Sequence, residues 1–196
     1  MNSICVFCGS SPGVLPAYAE AASRLGRTLA DMEIDLVYGG AGVGLMGILA
    51  ETVLAAGGHV TGVIPRALAE REIALTRLDD LRVVESMHER KALMAELSDG
   101  FIALPGGIGT MEEFVEVLTW SQLGIHCKPC GLLNVCGYYD QLLGFFDHMA
   151  GQGFLSRESR EMVLVDDDPE LLLMRMNLSR PPAVDKAAWA LGMSGT

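Results

Sequence analysis

Gly106, Gly107 and Gly109 stand directly ahead of Thr110-Met111-Glu112-Glu113, and no other stretch of the chain is as chemically specific. Upstream, Phe101-Ile102-Ala103-Leu104 reads as a short apolar strand. Downstream, a helix is predicted to open at Thr110 and run toward Trp120. Glycines let a backbone approach a ligand closely. The first turn of a helix presents free N–H groups and a partial positive charge. Together these parts make a phosphate site built from Gly106, Gly107, Ile108, Gly109 and Thr110. Glu112 and Glu113 follow one step behind it, which suggests acid–base chemistry on a phosphorylated small molecule.

A plainer reading competes at the same residues. Thr110-x-x-Glu113 has the form of a capping box, in which Thr110 caps the Glu113 N–H and Glu113 reaches back. A capping box alone does not require the glycines in front of it. Arg90 and Lys91, in Met87-His88-Glu89-Arg90-Lys91, begin a helix just before the 101–104 strand. Consecutive helical residues point roughly 100° apart, so the two do not share a face. They read either as a solvated basic pair or as a cation, Arg90, delivered to the ligand-binding edge of a sheet.

Gly42-Val43-Gly44-Leu45-Met46-Gly47 matches G-x-G-x-x-G between a strand and a helix. A dinucleotide site wants an acidic residue about 20 positions on, at the end of the next strand. That strand ends here in Ile64-Pro65-Arg66, which argues against NAD or FAD. A mononucleotide phosphate or ribose near Gly39–Gly44, including Gly40, stays open. No P-loop motif is present. Cys5-x-x-Cys8 and Cys127-x-x-Cys130 have metal-like spacing, but strand positions three apart face opposite sides, so Cys5 and Cys8 cannot easily share a metal. Neither a metal nor a cofactor is expected.

The whole chain frames these motifs. It has 196 residues, half of them hydrophobic, enough for one α/β domain with a real core. A net charge of −11 argues against a nucleic-acid partner or an anionic membrane surface. No apolar run reaches the ~18 residues of a membrane span. No charged leader precedes an apolar stretch at the N-terminus, so no signal peptide is expected. An odd count of 5 cysteines reads as reduced thiols in a cytoplasmic protein.

Strand-like and helix-like segments alternate throughout. Strands are predicted at 4–8, 35–38, 59–64, 81–84, 101–104, 130–133 and 162–165. Helices are predicted at 16–31, up to 56 after the Gly39–Gly44 turn, at 87–98, from 110, at 138–152 and at 169–178. Residues 66–80, with mixed charges, read as irregular or loosely helical. The expected fold is α/β: a Rossmann-like, doubly wound parallel sheet of about seven strands flanked by helices. A single domain over 1–180 and a C-terminal tail over 181–196 are expected. Ligands of such sheets bind beyond the carboxyl ends of the strands, where the turns at 9–13, 39–44 and 105–109 fall. Ser10 belongs to the first of these turns.

Taken jointly, these stretches resemble one family. Leu104–Glu113 resembles the PGGxGTxxE signature of the LOG (Lonely Guy) family, cytokinin riboside 5′-monophosphate phosphoribohydrolases often mislabelled as lysine decarboxylases. Gly39–Gly47 is similar to the family's GGGxxGLMG element, with Ala41 in place of the third glycine. Met87–Lys91 matches its MHxRK element, and Thr119–His126 its TWxQLGIH stretch. The likeness spans roughly residues 4 to 170.

The resemblance implies a homodimeric Rossmann-like enzyme acting on a nucleoside 5′-monophosphate, either a cytokinin riboside monophosphate or AMP. It implies hydrolysis of the N-glycosidic bond to free base and ribose 5-phosphate. Position by position it makes Arg90 and Glu113 the catalytic pair. It places Glu72, Lys91, the Gly107–Glu113 run and Thr119 against the substrate. Two alternatives stand beside it. One is a binding module that holds a nucleotide-like ligand without turnover, as molybdenum-cofactor carriers of similar fold do. The other is a nicotinamide-dependent oxidoreductase, weakened by the missing acid.

Overall fold

The computed structural model describes residues 1–69, 75, 78 and 80–179. In chain order the elements are β1 (Ser3–Phe7), α1 (Pro16–Asp31), β2 (Asp35–Tyr38), α2 (Gly44–Ala55), β3 (Val60–Pro65), α3 (Arg66–Ala69), β4 (Asp80–Val84), α4 (Met87–Glu96) and β5 (Gly100–Ala103). They continue with α5 (Ile108–Gln122), β6 (Cys130–Leu133), a 3₁₀ turn (Val135–Gly137), α6 (Asp140–Gly151), α7 (Arg157–Glu161), β7 (Val163–Asp166) and α8 (Pro169–Leu178).

The seven strands form one sheet in the order β4-β3-β2-β1-β5-β6-β7, and every pairing is parallel. From β1 the chain winds outward to β4, then returns to the other side of β1 as β5. The winding direction therefore reverses between β1 and β5, which is where such sheets open a crevice at their carboxyl ends. The turn after β1 and the glycine turn after β5 flank that crevice.

Alternation along the strands feeds two cores. Ile4, Val6, Leu36, Ile102 and Leu133 pack under α1, α2 and α8 through Leu25, Leu29, Leu49, Val53 and Leu172. Phe7, Val37, Phe101, Ala103 and Leu132 pack under α4, α5 and α6 through Met94, Phe114, Val117 and Phe146. Cys5 lies in the second core and Cys8 in the first, on opposite faces of the sheet, so they cannot jointly hold a metal. Burial also holds the Cys5 and Cys8 thiols well above their usual range.

Helix ends show where sequence and structure part. α1 and α8 carry proline in their first turn and run over the residues expected. α5 opens two residues before Thr110, with Gly107 as its extended N-cap. α6 begins at Asp140 rather than Tyr138, because Cys136 (φ 52) and Gly137 (φ 70) form a left-handed kink first. The loosely helical reading of 66–80 holds at its start, where Arg66–Ala69 is helical, and β4 begins at Asp80, one residue earlier than expected. Helix α7 carried no clear periodic signal. The expected tail over 181–196 lies outside the described residues.

Candidate active site

Helix α4 begins with a genuine side-chain cap. Ser86 Oγ accepts the Glu89 N–H at 3.1 Å, and the Glu89 carboxylate accepts the Glu85 N–H at 2.8 Å. This fixes the first turn of α4 at the carboxyl edge of β3 and β4. It also aims Arg90 inward, where only 7% of the residue is exposed. The Arg90 Nε donates to the Val63 carbonyl at 3.2 Å, tying the guanidinium to β3.

The other Arg90 contact is the centre of the site. Its Nη1 donates to Glu113 Oε1 in a short, buried ion pair between α4 and α5. Glu113 is 8% exposed. Burial pushes its carboxyl above the ordinary carboxylate range. Arg90 opposes that rise, Glu112 adds to it, and Lys91 opposes it further. A carboxylate held near an arginine but starved of water is suited to accept a proton at moderate pH.

Lys91 turns the other way on α4, as helical geometry requires. Its Nζ donates to Glu112 Oε1 at 2.5 Å and to Glu116 Oε1 at 3.0 Å. Burial pulls the Lys91 ammonium down, but these two carboxylates outweigh it and leave its pKa raised. Glu112 is therefore more than a helix-start charge: it joins a second pairing of α4 with α5 beside the Arg90–Glu113 pair.

The capping-box reading of Thr110 fails. Gly107 caps α5 without a side chain, Thr110 is buried within the first turn, and the Glu113 carboxylate goes to Arg90. Thr110 packs instead under Gly106, where any Cβ would strike its hydroxyl. Gly106 is also wedged against Gly9, whose N–H donates to the Pro105 carbonyl at 3.1 Å. The turns after β1 and β5 are thereby locked together. Between them lies a cavity of about 290 Å³, with Gly9, Ser10, Tyr18, Gly106, Gly107 and Tyr138 among its walls.

The structure brings Gly106, Gly107 and Ser10 to this cavity. Ile108, one residue on, is 90% exposed at the start of α5. Among the described residues, no atom beyond the chain neighbours and the local helix backbone lies within 4 Å of where a Cβ on Gly107 or Gly109 would stand. Arg90, Lys91 and Glu113 gather on the α4–α5 side of the glycine turn. Gly40 is buried with φ +76, and its carbonyl accepts the Leu75 N–H at 2.9 Å. Thr119 stands apart: it bonds back to the Val115 carbonyl, about 16 Å along α5 from Ile108 at ~1.5 Å per residue. Glu72 lies outside the described residues.

The roles of three residues escaped sequence reasoning. Gly39 gives the Arg90 guanidinium its space, and the doublet Gly39-Gly40 was the available signal. Gly44, at φ +59, lets α2 start hard against the Ser10 backbone. The Tyr138 hydroxyl donates to the Gly106 carbonyl at 2.6 Å, a contact nothing in the local pattern announces.

The profile of a family described as "Possible lysine decarboxylase" matches residues 46–176. Cytokinin riboside 5′-monophosphate phosphoribohydrolase LOG7 of Arabidopsis thaliana is 51% identical over 178 residues, covering 91% of this chain and 82% of that protein. The chain belongs to the LOG family. Another LOG protein of A. thaliana, cytokinin riboside 5′-monophosphate phosphoribohydrolase LOG1, is 47% identical over 195 residues, covering 98% of this chain and 92% of its own. The molybdenum cofactor carrier protein of Chlamydomonas reinhardtii superposes with a TM-score of 0.68 at 23% identity, covering 90% of this chain and 96% of its own. At that identity the likeness is one of fold alone.

Proposed function

We propose that this LOG-family chain is a phosphoribohydrolase. It cleaves the N-glycosidic bond of cytokinin riboside 5′-monophosphates, and of AMP, to free base and ribose 5-phosphate. The observation that carries this reading is the buried Arg90–Glu113 pair set directly behind the open glycine start of α5. The kinship with LOG7 and LOG1 supports it.

Breaking the bond builds positive charge on the ribose C1′–O4′ unit and negative charge on the departing base. The transition state is of the oxocarbenium type seen in glycoside hydrolysis. The Glu113 carboxylate stabilises that cation and takes one proton of the attacking water, whose oxygen bonds C1′, while the departing base nitrogen takes up a proton from solvent. Arg90 holds Oε1 of Glu113, so Oε2 is the oxygen that meets the water. Arginine does not readily give up its proton, so Arg90 stabilises the leaving base by charge and orients Glu113. The free N–H groups of Gly107 to Thr110 anchor the 5′-phosphate, and that remote binding positions C1′ for attack.

The chemistry of Lys91 speaks against the decarboxylase description. A lysine that forms a Schiff base needs a lowered pKa. Lys91 is instead gripped by two carboxylates and raised. A homodimer acting in the cytoplasm completes the proposal.

The deciding experiment is chromatographic analysis of products from AMP, isopentenyladenosine monophosphate and their unphosphorylated nucleosides. The expected result is free base from the monophosphates and far slower release from the nucleosides. Glu113→Gln is expected to abolish release while the protein stays folded. Near-wild-type turnover by that variant would overturn the assignment.

A further inference from the structure

The glycine turn between β5 and α5 is held peptide by peptide. The Leu104 N–H donates to the Phe7 carbonyl at 2.9 Å, and the Leu104 carbonyl accepts the Tyr139 hydroxyl at 2.6 Å. The Pro105 carbonyl accepts the Gly9 N–H at 3.1 Å, and the Gly107 carbonyl accepts the Met111 N–H at 3.1 Å. The link left is the peptide from Gly106 to Gly107. With glycine on both sides, it meets the least steric resistance to turning over. Its carbonyl accepts the Tyr138 hydroxyl at 2.6 Å.

Carbonyl and N–H of a trans peptide point in opposite directions. Fixing the Gly106 carbonyl on Tyr138 therefore fixes where the Gly107 N–H points. We propose that Tyr138 is a positioning residue for the phosphate cradle. Its hydroxyl holds the Gly106–Gly107 peptide in the orientation that offers the Gly107 N–H to a phosphate monoester. The inference rests on the phosphoribohydrolase reading for the identity of that ligand.

Independent features of the fold deliver Tyr138 to this task. The left-handed pair Cys136 and Gly137 turns the chain sharply after β6. Asn134 then braces the bend, its Oδ1 accepting the Tyr139 N–H at 2.7 Å and its Nδ2 donating to Asp140 Oδ1 at 2.7 Å. The Tyr138 ring stands edge-on to Tyr139 and to Tyr18, with centroids 5.0 and 5.7 Å away, and shares the cavity wall with Tyr18. Tyr138 is 42% exposed, whereas Tyr139 is 1% exposed and belongs to the core. The Tyr139 hydroxyl thus serves the packed fold, while the Tyr138 hydroxyl sits at the rim of the ligand cavity, where its loss opens no void.

The test compares Tyr138→Phe with Tyr139→Phe in the full chain, by calorimetric titration with ribose 5-phosphate and by steady-state kinetics on AMP. For Tyr138→Phe, Kd for ribose 5-phosphate and KM for AMP are expected to rise together by roughly 3- to 10-fold, the worth of one hydrogen bond, with kcat little changed. Turnover of unphosphorylated adenosine is expected to stay the same, so the preference for phosphate narrows. Tyr139→Phe is expected to lower the urea midpoint without that selective change. Unaltered ribose 5-phosphate affinity in Tyr138→Phe overturns the inference, as does an equal loss on AMP and adenosine. A wild-type protein that releases no base yet binds ribose 5-phosphate more tightly than Tyr138→Phe would sink the proposed activity and leave the inference standing. A wild-type protein that does neither overturns both.

Discussion

Gly39 and Arg90 share one space: the Arg90 guanidinium lies where a side chain on Gly39 would begin, with Met46 Sδ close behind. The end of β2 must therefore be bare for the α4 arginine to reach both the Val63 carbonyl and Glu113. Gly39→Ala is expected to push the guanidinium off the carboxylate. Misplacing a catalytic group by about 1 Å can cost on the order of 100-fold in rate, and a loss of that size in kcat is expected for base release. Urea unfolding of the same variant checks that the sheet survives.

Removing the arginine itself should make stability depend on pH in a definite direction. Arg90 lowers the Glu113 pKa against the larger effect of burial, so Arg90→Met raises it further. An acid with a raised folded-state pKa keeps its proton longer in the native protein than in the unfolded chain. Its destabilisation is absent below the unfolded value, near 4.5, and grows as pH climbs through the window up to the raised folded value. Arg90→Met is therefore expected to lose about 3 kcal/mol near pH 8, the usual cost of orphaning a buried charge, and clearly less near pH 5. Denaturant titrations at the two pH values measure this. Equal losses would contradict a buried, ionised Glu113.

The same shift predicts the acidic limb of the rate profile. Activity that needs the Glu113 carboxylate should fall as pH drops through a value above the ordinary 4.5. Glu112 contributes to the rise, so Glu112→Gln should move that limb toward lower pH, although it also removes a partner from Lys91. The measurement is kcat/KM for AMP against pH in both proteins. A limb that moves upward in Glu112→Gln would refute the electrostatic account.

What the sequence disclosed follows from where its signals are local. Proline in the first turn marked α1 and α8, and strand parity sent Cys5 and Cys8 to opposite faces. The start of α5 was misplaced because its cap is Gly107, which has no side chain to read, while Thr110-x-x-Glu113 imitates a cap. The working cap, Ser86 with Glu89, had the same spacing and went unread. The ion pair joins residues on different helices, 23 positions apart, and no periodicity encodes such a meeting. Only the likeness to a family chose Glu113 over Glu112 and paired it with Arg90 beforehand. Tyr138 escaped both routes, since its position depends on a left-handed cysteine that propensity does not foresee.

The three glycines of the cradle look alike in sequence but face different neighbours. A methyl on Gly106 would strike the Thr110 hydroxyl and crowd the Gly9 N–H, so Gly106→Ala must shift the turn or α5. It is expected to lower stability and ligand affinity together. Among the described residues, a methyl on Gly109 meets no atom beyond its chain neighbours and the backbone of its own helix. Gly109 lies in the first turn of α5, where replacing glycine by alanine in a helix gains roughly 0.5–1 kcal/mol. Gly109→Ala is thus expected to hold or raise the urea midpoint. If the 5′-phosphate occupies the open start of α5, the added methyl takes part of that space. KM for AMP and Kd for ribose 5-phosphate should then rise in a protein at least as stable as the wild type. Separating the two effects in one variant distinguishes a glycine kept for a ligand from a glycine kept for the fold. Unchanged ligand affinity in Gly109→Ala would move the phosphate away from the helix start and toward the Ser10 side of the cavity.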